Sequence, residues 1–155
     1  MKNNITTLAV LCSSVVAMGV SAPAKAEMGE NSIGPSASFG GGVTTYGIDS
    51  KFGLSENFSL RPFIYFPVGG TDIGGAITYD FRSKGYRDSS PITPFIGGSV
   101  SFFNSGGFNL TTFSLVGGAD FAITDSVQLK AAVIVPLNTD SGQITGVTVG
   151  AGFRF

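Results

Sequence analysis

Eight stretches of this chain alternate between apolar residues and small or polar ones, and a period of two belongs to strands, whose successive side chains point to opposite faces. They run Ser32 to Gly40, Thr44 to Leu54, Phe58 to Phe66, Thr71 to Phe81, Ile92 to Phe103, Leu110 to Ile123, Val127 to Leu137 and Ile144 to Phe155. Turn residues separate them at Ser55-Glu56-Asn57, Pro67-Val68-Gly69-Gly70, Asn104-Ser105-Gly106-Gly107, Thr124-Asp125-Ser126 and Asn138 to Gly142. Most segments have the roughly 9 to 12 residues that a tilted strand needs to cross a bilayer core. No apolar run approaches the length of about 20 residues that a spanning helix requires.

Each segment has one apolar row and one row of small or polar residues. In the seventh, Val127, Leu129, Ala131, Val133, Val135 and Leu137 stand against Gln128, Lys130, Ala132 and Ile134. In the eighth, Val147, Val149, Ala151, Phe153 and Phe155 stand against Gly146, Thr148, Gly150, Gly152 and Arg154. The charged strand residues all fall on the minor row: Asp49, Lys51, Arg61, Asp72, Asp80, Asp120, Lys130 and Arg154. Four acids balance four bases. Such a set suits the narrow interior of an eight-strand barrel, where side chains fill the lumen and buried charges must be paired.

The apolar row is layered as a bilayer would require. Aromatic residues mark one rim at Phe52, Phe58, Tyr79, Phe81, Phe121, Phe153 and Phe155, and the other at Phe39, Tyr46, Phe66, Phe102 and Phe113. Between them lie Ile48, Ile64, Ile77, Ile96, Leu115, Val133 and Val149. Amphipathic rings favour membrane interfaces, whereas a soluble core would gather its large rings at the centre. The expected fold is therefore all-β: an eight-stranded antiparallel transmembrane barrel of up-and-down connectivity. An even strand number returns both termini to one side, and closure leaves no unpaired edge in lipid. Pro62 and Pro94 fall within predicted strands, so bulges or local gaps are expected there.

Residues 1–26 are read as a cleaved signal peptide preceding a barrel over 27–155. Lys2 supplies the charged start, Ile5 to Val20 a short apolar region, and Ala24-Lys25-Ala26 a small-x-small cleavage site. Cys12 does not make a lipobox, because Leu11 precedes it where a small residue is needed. It is the sole cysteine, so cleavage removes disulfide, thiol and cysteine-metal chemistry together. Charged residues make up 12% of the chain, about half the share of ~25% usual in globular proteins. With a formal net charge of −1 and no basic patch, nucleic acid is not an expected partner.

The stretch from Phe52 to Val68, FGLSENFSLRPFIYFPV, is echoed 69 residues later from Phe121 to Leu137, FAITDSVQLKAAVIVPL. Ser55 matches Thr124, Glu56 matches Asp125, Arg61 matches Lys130 and Pro67 matches Pro136. Duplication and shared structural role explain the echo equally well. These phrases, with ITPFIGGSV at 92–100 and the ending VGAGFRF, resemble the OmpA/OmpX-type outer-membrane β-barrel superfamily, the porin family of small outer-membrane proteins. The resemblance covers about residues 31 to 155. It implies a Gram-negative outer-membrane location and a monomer in outer-membrane lipid, with Phe153 and Phe155 as a signal read by the barrel-assembly machinery. It also implies periplasmic turns at 55–57, 82–91 and 124–126, and outward connections at 40–43, 67–70, 104–109 and 138–143. Those outward connections are shorter than is typical of the family, whose external loops carry binding or adhesion.

Chemistry is constrained mostly by what is missing. The chain has no histidine, so a Ser-His-Asp triad and histidine-built zinc sites are excluded. Asp72 and Asp80 share a strand face but lie about 26 Å apart at ~3.3 Å per residue, too far for a catalytic pair. The glycine stretches FGGGV and VGGTDIGG lack the Gly-Lys-Ser/Thr of a phosphate loop. No catalytic, metal or cofactor site is expected. The leading functional expectation is a non-enzymatic integral protein of the cell envelope, with a structural or surface-interaction role. A small pore is the alternative, since inward Gly74, Gly118, Gly146, Gly150 and Gly152 leave room for a thin water path. A soluble periplasmic ligand-binding barrel is the third.

Overall fold

A computed structural model describes residues 31–81, 92–138 and 145–155. The proposed signal peptide, the connection at 82–91 and most of the connection at 138–143 lie outside the described residues. Eight strands form in chain order: β1 Ser32–Gly40, β2 Val43–Gly53, β3 Phe58–Phe66, β4 Thr71–Asp80, β5 Ile92–Ser105, β6 Phe108–Ala122, β7 Val127–Pro136 and β8 Gly146–Arg154. Each pairs antiparallel with its neighbours in sequence, and β1 pairs with β8 to close the barrel. Closure leaves no free sheet edge along the wall. Both ends of the described chain meet at that seam, where the Phe155 N–H donates to the Asn31 carbonyl at 3.1 Å.

Strand limits follow the period of two to within about two residues, and at one connection that difference changes the turn. β5 and β6 run further than the alternation indicates, pairing from Ile92↔Phe121 up to Ser105↔Phe108. The six-residue connection expected at 104–109 is instead a two-residue turn. Gly106 and Gly107 take φ of 53° and 101°, and positive φ at both central residues matches the twist of the flanking strands. Gly41 and Gly42 make the same kind of turn between Gly40 and Val43.

The prolines interrupt pairing without shifting register. Pro62 pairs with Gly75 on β4, whereas on the β2 side the ladder passes from Asp49↔Phe63 to Phe52↔Leu60 in unchanged register. This is a gap, not a bulge, because the missing N–H faces β2. The Ser50 hydroxyl donates to the Pro62 carbonyl across it at 3.3 Å. Pro94 lies just beyond the last β4–β5 pair, Asp80↔Phe95, where its carbonyl accepts from the Phe81 N–H at 2.8 Å and it has no N–H to return the bond. Pro35 leaves a similar gap toward β8.

The wall has an apolar outside and a mixed inside. Among the described residues the large exposed hydrophobics include Tyr46, Ile77, Ile96, Leu115, Phe113 and Phe153. Those buried are only Tyr65, Ala76, Phe95, Val116 and Ala132. Lys51, Arg61, Asp80 and Asp120 are buried within the barrel. The distribution is that of a water-soluble protein turned inside out.

Candidate functional site: the barrel lumen

Parity places the charges of β2, β3, β4 and β6 on the inner face, and register decides which of them meet. Lys51, Arg61, Asp80 and Asp120 converge in the half of the barrel that holds the termini. Lys51 Nζ donates to Asp120 Oδ2 at 2.7 Å and lies 2.8 Å from Asp80 Oδ2. Arg61 spans the same two acids, with Nη1 and Nη2 on Asp120 at 3.0 and 2.8 Å and Nη2 on Asp80 at 3.1 Å. Both cations thus touch both anions. These side chains are 1–6% exposed, so ions removed from water are compensated by a neutral, closed set of partners.

Hydroxyls complete the cluster. Ser59 donates to Asp80 Oδ2 at 2.8 Å, Thr78 donates to Asp80 Oδ1 at 3.2 Å, and Arg61 Nε donates to Thr78 Oγ1 at 2.9 Å. On its other side the Arg61 guanidinium lies 3.7 Å from the centre of the Phe95 ring, within cation–π range. Phe95 packs with Ala76, Val116 and Ala132 as a small apolar layer, with Ile134 against it. Lys130 pairs with Asp49 beside this layer.

Of the eight charged residues marked in the sequence, six thus gather into one quartet and one pair. The other two lie at opposite ends. Arg154, near the C-terminal end of β8, donates from Nη1 to the Thr124 carbonyl at 3.2 Å. Asp72, near the start of β4, faces the opposite mouth. Phe153 and Phe155 point outward at the rim.

The lumen also holds large rings that the layered reading of the apolar row overlooks. Phe63, Tyr65 and Phe95 share the inner row with Arg61, Ser99 and Ser101, and each lies over a glycine of an adjacent strand. A Cβ on Gly74 would come within 2.5 Å of Phe63 Cζ, one on Gly47 within 2.5 Å of Tyr65 Cδ1, and one on Gly118 within 2.9 Å of Phe95 Cζ. The thin water path expected from Gly74 and Gly118 is therefore occupied, because glycine there admits a neighbour's ring. Gly150 is covered by Ser36 and Asp49, and Gly152 by Ser32 and Gln128. Gly146 lines a cavity of about 400 Å³ at the mouth opposite the quartet. The parity of Phe63, Tyr65 and Phe95 was available in the sequence as the signal for these rings.

No group of three or more histidine, cysteine, aspartate or glutamate side chains gathers at metal-binding distance among the described residues. The two acids that do come together, Asp80 and Asp120, already hold two cations.

The sequence echo has a structural counterpart. At 54–58 the Leu54 and Ser55 N–H groups both donate to the Phe58 carbonyl; at 123–127 those of Ile123 and Thr124 both donate to Val127. The carbonyls of Asn57 and Ser126 then accept from Asp80 and Arg154 in turn. The two sites thus play the same structural role in the barrel.

No protein-family model matches the chain, and no curated protein matches it. Solved structures do. The N-terminal β-barrel domain of Pseudomonas aeruginosa OprF aligns over 83% of this chain and 98% of its own, at 17% identity and a TM-score of 0.58. A de novo designed transmembrane β-barrel aligns over 84% and 98%, at 10% identity and a TM-score of 0.59. The solution structure of another designed barrel, TMB2.3, aligns over 85% and 98%, at 8% identity and a TM-score of 0.61. Designed chains match as well as a natural one, so the likeness is one of architecture. The chain has the fold of eight-stranded outer-membrane-type β-barrels, closed and meandering.

Proposed function

We propose that this chain is an integral outer-membrane protein whose barrel is plugged by its own side chains and serves a non-enzymatic, structural or surface-interaction role in the cell envelope. The observation that carries the reading is the inverted wall. Rings such as Tyr46, Phe66 and Phe113 at one rim and Phe58, Tyr79 and Phe153 at the other flank aliphatic residues such as Ile77, Ile96 and Leu115, all exposed. In water this surface would drive aggregation, whereas in a bilayer it is the solvated face. The interior supports the plugged part of the reading. The quartet joins β2, β3, β4 and β6 across the lumen, and the Phe95 layer abuts it. The partners implied are outer-membrane lipid and, during insertion, the barrel-assembly machinery.

Cell fractionation combined with gel mobility tests the membrane assignment. The protein is expected with outer membranes, extractable only by detergent, and migrating differently before and after boiling. Recovery in the soluble periplasmic fraction would overturn it. Planar-bilayer recording tests the plug separately: no conductance above background is expected, and steady single-channel steps would sink that part.

A further inference from the structure

The mouth opposite the quartet is built differently from the rest of the lumen. The cavity of about 400 Å³ there is bounded by the Gly41 turn, the end of β7 at Pro136 and the start of β8 at Gly146. It therefore lies on the barrel axis at the end remote from the termini. Its volume falls within the range of about 300–1,000 Å³ typical of small-molecule sites. One wall carries a contiguous set of hydroxyls. Ser99 stands opposite Ser114 and Ser101 opposite Thr112 across β5 and β6, while Tyr65 pairs with Asp72 across β3 and β4. All six line the cavity.

Asp72 is the single charged side chain among the described residues that line it. Its Oδ1 is buried and has no hydrogen-bond partner, and the same is true of Thr112 Oγ1 on the facing strands. Elsewhere in the lumen each buried acid meets at least one cation: Asp80 and Asp120 each meet two, and Asp49 meets Lys130. Among the described residues Asp72 has Ser101 as its polar neighbour and no cation. Buried polar atoms in folded proteins are nearly always satisfied, so two orphans on residues that line one cavity mark unmet hydrogen-bonding capacity beside it. An acceptor-only carboxylate asks for a cationic donor, and a row of hydroxyls asks for groups that both donate and accept.

We propose that this vestibule is a binding site for a small primary ammonium compound that also carries hydroxyl groups, of the amino-alcohol or amino-sugar class. The ammonium meets Asp72, and the ligand hydroxyls exchange hydrogen bonds with Ser99, Ser101, Thr112 and Ser114. The described lining comes from all eight strands, so the cavity lies inside the wall and not on its outer face, and its ligand is a solute rather than a lipid tail. Beyond it the lumen narrows to a space of about 40 Å³ among Phe63, Tyr65 and the Phe95 layer. The site depends on the barrel being folded and is indifferent to whether the barrel conducts.

The test is calorimetric titration of the full barrel in zwitterionic detergent micelles, with glucosamine, N-acetylglucosamine, glucose and potassium chloride as probes. N-acetylation removes the charge and keeps the sugar hydroxyls. Saturable one-to-one binding of glucosamine is expected, tighter than that of N-acetylglucosamine or glucose by about ten- to a hundredfold, as a charge-assisted hydrogen bond implies. Asp72→Asn should erase that preference, in a variant whose unheated gel mobility shows the barrel intact. Equal binding of the charged and acetylated sugars, glucosamine binding unchanged in the Asn variant, or no saturable heat at all would each overturn the proposal. Potassium binding as tight as that of glucosamine would overturn the role of the hydroxyl wall. None of these results depends on the protein's location, so failure here is distinct from failure of the membrane assignment.

Discussion

Asp120 holds two buried cations at once, and its removal isolates the energetic role of the quartet. In Asp120→Ala, Lys51 and Arg61 keep Asp80 alone, and one net positive charge is left inside the barrel. Breaking a buried ion pair from one side costs about 3–5 kcal/mol, because a charge removed from water is left uncompensated. A loss of that size is expected in reversible urea unfolding from lipid vesicles; a loss below about 1 kcal/mol would show the quartet to be solvated and weak. Asp72→Asn, which breaks no ion pair, should stay close to the parent. At this scale the sequence is informative about side and uninformative about partner. Parity alone puts Lys51 and Asp120 on the inner row, but they lie 69 residues apart on β2 and β6, and only the register of the intervening strands lets them meet. Balanced charge suggests pairing throughout, yet Asp72 and Arg154 end at opposite mouths because β4 begins and β8 finishes there.

Strands were the most legible element, since alternation marks their length and turn residues their ends. The missed extension of β5 and β6 has a specific cause. Asn104, Ser105, Gly106 and Gly107 all have turn chemistry, and composition cannot tell which two of them make the turn. Only the positive φ at Gly106 and Gly107 settles it. The outer row of each strand gives a graded test of the wall. Leu115 lies near the middle of β6, 50% exposed on the outer face, whereas Phe153 lies at the rim of β8, 66% exposed. An arginine at a bilayer midplane costs about 2–4 kcal/mol, falling to about 0–1 near the interface. Leu115→Arg should therefore lower stability in vesicles by the larger amount and Phe153→Arg by the smaller. Equal and small effects in both would mean that the face is not in lipid.

Closure is a property of the whole molecule. It could be anticipated from an even strand count, but the seam that achieves it could not be read from β1 alone, whose Gly34 and Pro35 make it the least strand-like segment. The pairing of β1 with β8 supplies the reason it forms. Gly34 allows the close approach, since a Cβ there would lie 1.9 Å from the Ala151 carbonyl oxygen. In a closed ring of eight antiparallel strands no position is intrinsically the beginning. The seam should then be replaceable by any other turn at the same end of the barrel. Joining residue 155 to residue 31 through a short Gly/Ser linker is geometrically allowed, because the two are already hydrogen-bonded at 3.1 Å. Opening the chain between Glu56 and Asn57 puts at risk the turn bonds that Leu54 and Ser55 make to the Phe58 carbonyl and the one that the Phe58 N–H makes to Ser55 Oγ; exposed turns are where permutation is tolerated. This permutant should refold into detergent with the parent's shift in gel mobility on boiling and a modest fall in stability. Opening between Gly117 and Gly118 instead breaks β6 in mid-wall, beneath the Phe95 ring, and should abolish the shift. If the first permutant also failed, β1 and β8 would have to be the ends of the chain for the barrel to form. The order in which strands are added would then matter as much as the closed ring they finally make.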